Sequence, residues 1–351
     1  MKALVMAGHS SRGLSPFSPA RPSQLVPIAN KPLLFYALKE IADAGITDVG
    51  VITGENAAEV HRVLDNGSRF GLNLTYVHQE FRRGLVHSVV AARSFLDDDD
   101  FLFHPGHAVV VDALPRLVKE YRELRPEALA MVGSDAGIGR LETDGQGRGV
   151  RVLETTRNTA GRAMTGVYVF SPAIHEAIAN IRPTWRKTLE VIDALRWLAD
   201  RGYTVRAHED QGFCGDASGP DSMLACNRHV LSTVRTEILG SVDEGSSLTG
   251  PVVVEYGAEV TRCHITGPVV IGHDTVLSDS VIGPDTAIGA DCVVRDAELG
   301  ASVLLDGAWV GGVRGVRDSV IGRDARVGPR PEAAGTHRLL IGDRAHVHIG
   351  A

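Results

Sequence analysis

The chain has few cysteines, no concentration of positive charge and no long apolar run, and each absence excludes a class of protein. A disulfide framework is excluded because the cysteines are scattered without a Cys-x-x-Cys pair. They are Cys214, Cys226, Cys263 and Cys292. A formal net charge of −7, without any Lys/Arg-rich run, argues against a nucleic-acid-binding surface.

Two further absences concern the cellular location. No apolar run approaches the roughly 20 residues that cross a bilayer, so we expect no association with membranes. Met1 and Lys2 lead directly into an apolar stretch, without the charged, apolar and cleavage regions of a secretory leader. We therefore expect a soluble cytoplasmic protein that binds neither nucleic acid nor membranes.

What is present is a chain of 351 residues, long enough for two domains with separate cores. The first predicted domain, residues 1–238, alternates short apolar runs with amphipathic segments such as Leu33–Ala44 and Leu114–Leu124. This alternation predicts an α/β fold, with a mostly parallel sheet between helices. The predicted strands are Ala3–Met6, Val49–Ile52, Leu74–Val77, Phe101–Phe103, Ala128–Val132 and Gly166–Phe170.

The second predicted domain, residues 245–351, has a different period. Apolar residues recur every six positions, which predicts the inward corners of a parallel β-helix. They are Val270, Val276, Ile282, Ile288 and Val294. A meander of short strands is the alternative, and Gly311–Gly315 and Pro329–Thr336 are predicted to be loops. His264 and His273 leave open a hexapeptide acyltransferase.

Ligands of parallel α/β sheets bind at the carboxyl ends of the strands, which directs the search to residues 7–14, 79–87 and 104–108. The first of these loops is rich in glycine and small polar residues and leads toward a helix-forming segment. Such a loop can present backbone N–H groups to a phosphate. His87 and His104 are expected to be wall or surface residues.

Short motifs run through the whole chain and are specific as a set, although each alone is weak. They are Lys2–Gly8, Gln24–Pro27, Asn30–Leu33, Ala44–Ile46, Gly84–Leu85, Gly166–Tyr168, Leu189–Glu190, Asp193–Ala194 and Asn227–Arg228. With these motifs the chain resembles the long form of glucose-1-phosphate thymidylyltransferase. The resemblance implies a Rossmann-like nucleotidyltransferase domain, followed by a left-handed parallel β-helix, in a homo-oligomer.

Members of that family join a nucleoside triphosphate to a sugar 1-phosphate and release pyrophosphate. The resemblance places Gln79 and Gly84 where the family reads the base. It places a second set of residues where the family holds the sugar: Gly137, Glu154, Val167 and Glu190. A third set, Gly8, Ser10 and Ser11, belongs to the glycine loop and is expected to line the same cleft.

The departures from the family pattern concentrate at the reacting phosphate. Gly13 stands at the loop arginine position, with Arg12 one residue early, and Ser23 and Thr155 replace lysines. His107 replaces the first of two metal-binding aspartates, and Asp216 corresponds to the second. Mg²⁺ prefers oxygen ligands, so a His–Asp pair is a poor Mg²⁺ site. We therefore expect ordinary nucleotidyl transfer to be lost or very slow.

The leading hypothesis is a repurposed, metal-independent acid–base enzyme acting on a small molecule, recruited to bacterial natural-product biosynthesis. His107 and Asp216 would form the acid–base pair, with Ser23, His9 and Arg12 in the same catalytic cleft. No cofactor is expected, and Mg²⁺ is required only if the protein is a conventional transferase. A Ser-His-Asp nucleophilic site, an active sugar-1-phosphate nucleotidyltransferase and a non-catalytic protein that binds a nucleotide or sugar phosphate remain alternatives.

Overall fold

The computed structural model describes residues 1–8, 22–79, 84–133, 139–144, 149–153, 161–182, 189–209, 213–330, 339–343 and 345–350. Its contacts divide the chain into two compact units. Unit 1 comprises Met1–His9 and Leu33–Asp216, and unit 2 comprises Ser10–Pro32 and Ala217–Ala351. The domain limits 1–238 and 245–351 remain a prediction.

The elements up to residue 216 alternate strands with helices. In chain order they are β1 (Lys2–Met6), β2 (Pro27–Ile28), β3 (Lys31–Pro32), α1 (Leu33–Asp43), β4 (Asp48–Thr53), α2 (Ala57–Leu64), β5 (Asn73–His78), α3 (Leu85–Ala91), α4 (Arg93–Leu96), β6 (Phe101–His104), β7 (Ala108–Val110), α5 (Leu114–Leu124), β8 (Ala128–Gly133), β9 (Arg140–Thr143), β10 (Gly149–Leu153), β11 (Arg162–Phe170), α6 (Ala173–Asn180), α7 (Val191–Asp200), β12 (Val205–Glu209) and β13 (Cys214–Asp216). Short 3-10 helices lie at Ser23–Leu25 and Ser68–Phe70.

A mixed sheet forms the centre of unit 1, with the strand order β12-β8-β11-β6-β1-β4-β5 and the β9–β10 hairpin beside β11. Strands β6, β1, β4 and β5 are parallel, as expected, but β11 is antiparallel to both β6 and β8. Most strands of this sheet run in one direction, as predicted, and β11 is the central strand that runs against its neighbours. Parallel neighbours need a crossover connection, whereas hairpin strands connect β8 to β11.

The apolar periodicity predicted the main helices of unit 1 closely. Helix α5 buries Leu114, Leu117, Val118 and Tyr121, the residues that share one helical face. Its N-terminal N–H groups are capped from α1, because the buried carboxylate of Glu40 accepts from Asp112, Ala113 and Leu114 at 2.8–3.3 Å. Burial raises the pKa of Glu40, and these contacts partly offset that effect.

The C-terminal elements are one helix followed by short strands. They are α8 (Pro220–Leu231), β14 (Glu237–Ile238), β15 (Ser241–Val242), β16 (Ser247–Thr249), β17 (Val252–Val254), β18 (Glu259–Thr261), β19 (His264–Thr266), β20 (Val269–Ile271), β21 (Val276–Ser278), β22 (Val281–Ile282), β23 (Thr286–Ile288), β24 (Val293–Arg295), β25 (Glu298–Gly300), β26 (Val303–Leu304), β27 (Trp309–Gly311), β28 (Val316–Arg317), β29 (Val320–Ile321), β30 (Arg326–Arg330), β31 (Leu340–Ile341) and β32 (His346–Gly350).

These strands form the three parallel sheets of a left-handed β-helix. The first sheet is β14-β17-β20-β23-β26-β29-β31, the second is β15-β18-β21-β24-β27-β30-β32, and the third is β16-β19-β22-β25-β28. The Leu277-to-Val294 register shows that one coil takes 17 residues, one fewer than three periods of six. The slip turns Val270 and Val276 outward, so their predicted inward positions were wrong, whereas Ile282 and its successors in the set point inward.

Two predicted loops begin later than expected. Gly311 is the last residue of β27, and the chain turns at Gly312 and Gly315, whose φ angles of 64° and 68° suit glycine. Pro329 lies in β30, which ends at Arg330, and the rest of the second predicted loop falls outside the described residues.

Within unit 2, helix α8 is fixed to the β-helix by polar contacts. Asn227 is buried; its Nδ2 donates to the Asp285 carbonyl at 3.2 Å, and its Oδ1 accepts from Ala29 N–H at 2.9 Å. Asn30 Nδ2 in turn donates to the Ile288 carbonyl at 2.7 Å. The β2–β3 turn and α8 are thereby joined to the first β-helix sheet. Across the described part of the chain, no helix combines the length and apolarity needed to span a bilayer.

Candidate functional site

A His–Asp pair lies where β7 meets β13 in unit 1. The antiparallel register sets Asp216 opposite Ala108, beside His107. His107 Nε2 is 3.8 Å from Asp216 Oδ1, and the two side chains are 32% and 45% exposed. The predicted meeting of His107 and Asp216 thus occurs within one unit, at a separation that allows electrostatic interaction but is too long for a direct hydrogen bond.

His104 shapes the turn that presents His107. This role of His104 was not predicted from the sequence. Of the two expected positions, wall or surface, the surface position is wrong, because His104 is fully buried at the end of β6. Its Nδ1 accepts the Gly106 N–H at 3.0 Å, and Gly106 has a φ of 76°. Burial lowers the pKa of His104 to about 3, and the nearby charge of His107 contributes. The sequence does carry a signal for this burial, because His104 is the last residue of an apolar strand, directly before Pro105 and Gly106.

Gln79 lies just after β5, and the oxygen of its side-chain amide is held by a hydrogen bond. Ser88 Oγ donates to Gln79 Oε1 at 3.0 Å, which fixes the orientation of the amide. The Gln79 Nε2 atom is buried and has no hydrogen-bond partner among the described residues. Gly84 precedes α3 with a φ of 81°, in a conformation that favours glycine. A ligand carbonyl near Gln79 Nε2 would complete this arrangement.

Gly8 follows β1 at the carboxyl end of the sheet, and close packing explains why glycine is required at this position. A Cβ atom at this position would lie 2.3 Å from the backbone nitrogen of Gly54, directly after β4. Only a residue without a side chain allows this approach of the two strand ends.

Val167 and Glu190 lie on separate elements of unit 1. Val167 is fully buried in β11, next to Gly166, whose φ of 92° accompanies a shift in strand register. Its side chain is therefore part of the core, and any contact with a sugar would use its backbone. Glu190 is half-buried at the N-cap of α7.

Ser23 belongs to unit 2 and opens the 3-10 helix at Ser23–Leu25. Its exposed fraction is 2%, which limits a nucleophilic role for its hydroxyl. Six other predicted site residues fall outside the described residues: His9, Ser10, Ser11, Arg12, Gly137 and Glu154.

The described residues do not suit Mg²⁺. No group of three or more His, Cys, Asp or Glu side chains within the described ranges could hold a metal ion. At the pair itself, one imidazole and one carboxylate supply the donors, whereas Mg²⁺ requires near-octahedral oxygen coordination. An imidazole beside a carboxylate is also an arrangement that can hold and exchange a proton.

The two histidines considered for acyl transfer have partners on the β-helix surface. His264 Nδ1 lies 2.7 Å from Ser247 Oγ, and His273 Nδ1 lies 3.1 Å from Asp274 Oδ2. The hydrogen bond to Asp274 raises the pKa of His273. Both histidines are solvent-exposed, so an acyltransferase role stays an untested prediction.

Comparison with known proteins gives consistent results. The nucleotidyl transferase family model matches residues 2–233. Glucose-1-phosphate thymidylyltransferase from Streptomyces griseus is 42% identical over 100% of both chains, and that from Streptomyces antibioticus is 41% identical over 99% of both. A Bacillus anthracis structure assigned as a glucose-1-phosphate thymidylyltransferase, with sucrose bound, has a TM-score of 0.62 at 22% identity. The match covers 68% of this chain and 97% of that structure, and at this identity it supports the fold alone.

Proposed function

Because this chain belongs to the nucleotidyl transferase family, as a full-length homologue of glucose-1-phosphate thymidylyltransferases, we propose that it binds a nucleotide or sugar phosphate. On that ligand it performs acid–base chemistry without a metal, and ordinary nucleotidyl transfer is lost or greatly reduced. His107 and Asp216 are the proposed catalytic pair. The same proposal retains a cytoplasmic location and a role in bacterial natural-product biosynthesis.

The observation that carries the proposal is the 3.8 Å approach of His107 Nε2 to Asp216 Oδ1. A carboxylate at an imidazole orients the ring and stabilises its protonated form, which suits a general base. Because Nε2 faces Asp216, Nδ1 is the nitrogen that would exchange a proton with the ligand. Catalytic contacts are commonly long in the free enzyme and shorten when substrate binds.

The proposed loss of nucleotidyl transfer follows from the charged groups that are missing at the reacting phosphate. Nucleotidyl transfer depends on cationic groups that neutralise the reacting phosphates, and losing one such stabilising group costs roughly 10²–10³ in rate. By the family resemblance, His107 stands in place of one metal-binding carboxylate, and Ser23 and Thr155 stand in place of lysines. These replacements affect one phosphate, so their effects on the rate combine.

Retention of a base-binding pocket is supported by Gln79. Its amide is oriented by Ser88 and leaves a buried N–H without a partner among the described residues. An N–H group of this kind is costly unless a ligand acceptor or water satisfies it. A pyrimidine carbonyl is the proposed acceptor.

The second candidate is a conventional sugar-1-phosphate nucleotidyltransferase. It is favoured by 42% identity to a thymidylyltransferase over the whole chain. Under this alternative, other groups would have to replace the missing charges, and Mg²⁺ would be required for turnover.

The test incubates the protein with dTTP, a dTDP-sugar and a panel of sugar 1-phosphates in D₂O containing EDTA. NMR then follows deuterium incorporation and new products. We expect exchange with the unmodified protein, and a fall of about 10²–10⁴-fold in His107→Gln and Asp216→Asn. His78→Gln, which changes an exposed histidine at the end of β5, is the matched control and should retain the rate.

Unchanged rates in both pair variants would reject the His107–Asp216 assignment. Calorimetry in EDTA separates a third case, the non-catalytic binding protein, which would bind nucleotide but form no product and exchange no deuterium.

A further inference from the structure

The backbone of His107 is held on both sides, and the two anchors differ in kind. On the C-terminal side Ala108 opens β7, and the antiparallel register with β13 sets it opposite Asp216. That anchor is a backbone ladder, which does not depend on particular side chains. On the N-terminal side the Gly106 N–H donates to Nδ1 of His104 at 3.0 Å. The path by which the chain enters His107 therefore depends on one imidazole.

Only one form of the His104 ring can make this contact. Because Nδ1 accepts a hydrogen bond, the neutral ring carries its proton on Nε2. A protonated ring has a hydrogen on both nitrogens and could not accept the Gly106 N–H. Burial, with a contribution from the nearby charge of His107, lowers the pKa of His104 to about 3. His104 therefore stays neutral at the pH at which histidines ordinarily titrate, and it remains an acceptor.

Packing alone favours an apolar residue at position 104. The ring is fully buried beside Val5 of β1, and its Nε2 has no hydrogen-bond partner among the residues that the structure describes. A buried N–H without a partner destabilises the folded chain, and an apolar side chain of similar volume would avoid this effect. A residue that lowers stability while it holds the neighbour of a reactive side chain is typical of a functional position.

We propose that His104 is a positioning residue for the His107–Asp216 pair. Its neutral imidazole holds the Gly106 N–H and thereby fixes the direction in which the turn presents the His107 ring to Asp216. Because its own ring is fully buried, His104 acts through Gly106 and not by contact with a ligand. The effect on turnover rests on the proposed acid–base function, whereas the effect on the geometry of the pair does not.

Two substitutions separate the acceptor from the volume of the side chain. His104→Asn keeps an acceptor, since the asparagine Oδ1 takes the place of Nδ1 on the same γ-carbon. His104→Leu fills a similar volume without an acceptor. His175→Leu is the matched control, because Nε2 of the partly buried His175 also lacks a partner within the described part of the chain. The His175 ring stacks on Phe101, at the opposite end of β6.

The first measurement is NMR of the free protein with isotope-labelled glycine and histidine. The Gly106 amide should exchange slowly in the unmodified protein and in His104→Asn, and about tenfold faster or more in His104→Leu. Asp216→Asn should move the His107 ring resonances in the unmodified protein, and much less when it is combined with His104→Leu. A Gly106 amide that exchanges at the same rate in all three proteins would overturn the proposal.

The second measurement combines the deuterium exchange rate on the ligand with urea unfolding at neutral pH. His104→Leu should lower the rate at saturation by about 10- to 100-fold with KM unchanged. Its free energy of unfolding should be no lower than that of the unmodified protein. His104→Asn should recover most of the rate, and His175→Leu should retain all of it.

Two results would show that His104 is merely structural and would overturn the proposal. One is an equal loss of rate in both His104 variants, and the other is a loss of rate that follows a matching loss of stability. If the unmodified protein exchanges no deuterium on any ligand, the proposed function fails, and the NMR response of His107 decides the positioning role. A response to Asp216→Asn that persists in His104→Leu would then overturn the proposal.

Discussion

The β-helix and the His107–Asp216 site differ in how strictly a local rule governs each residue. In the β-helix successive strands stack in register, and inward positions such as Ile271, Ile288 and Leu304 are almost fully buried. At the site, the buried imidazole of His104, the positive φ of Gly106 and the partly exposed His107 follow one another between β6 and β7, and Asp216 joins them from β13. Regular packing therefore stabilises the β-helix, whereas the His107–Asp216 site departs from regular packing at the residues proposed to carry the chemistry.

The largest expected effect is in the β-helix core, where regular packing is most strict. Ile271→Ala should lower the free energy of unfolding by about 2–5 kcal/mol, because it leaves a cavity at a fully buried position between stacked coils. Val281→Ala, at an outward and partly exposed position, is the control and should cost less than about 1 kcal/mol. Urea unfolding measures both. Equal losses would mean that the coil interior does not dominate the stability of this region.

A second prediction concerns His104 and acid stability. Folding lowers the pKa of His104 from its ordinary 6.5 to about 3, so the unfolded chain binds more protons in this window. Stability from this group is full above pH 6.5 and is lost as the pH falls, by about 1.4 kcal/mol per pH unit. Urea unfolding of the native protein and His104→Asn between pH 7 and 4 measures the difference. Parallel pH profiles would contradict the burial of a neutral imidazole.

The smallest expected effect is at Ser88. Its hydroxyl holds the Gln79 amide at 3.0 Å, and a single hydrogen bond of this kind contributes about 0.5–1.5 kcal/mol. Ser88→Ala should therefore weaken nucleotide binding by several fold in calorimetry and leave the His107-dependent exchange rate at saturation unchanged. Ser94→Ala, on the exposed side of α4, should change neither quantity. A loss of exchange without a loss of binding would contradict the assignment of Gln79 to ligand binding.

Prediction from the sequence succeeded where side-chain burial has a regular period. The apolar face of α5 gave its buried residues directly, because a helix repeats every 3.6 residues. The six-residue period identified the β-helix but placed Val270 and Val276 on the wrong side, since one coil takes 17 residues. A slip of one residue reverses the direction of a strand side chain.

Other features depend on contacts between distant segments and had no local signal. The direction of β11 follows from a hairpin connection, and the requirement for glycine at Gly8 comes from the backbone of Gly54. The pairing of His107 with Asp216 was predicted only through family resemblance, because 108 intervening residues separate them in the chain. The buried position of His104 had a weak local signal, the apolar strand that it closes, but the burial itself depends on the strands packed around β6.

The central claim is that the site has exchanged metal-dependent nucleotidyl transfer for acid–base chemistry. Pyrophosphate release tests it most directly, with Mg²⁺, with dTTP, UTP or GTP, and with a panel of sugar 1-phosphates. We predict no release above the rate without protein for the native chain. Sustained Mg²⁺-dependent release that is abolished by Asp216→Asn would contradict the claim and identify the protein as a conventional transferase.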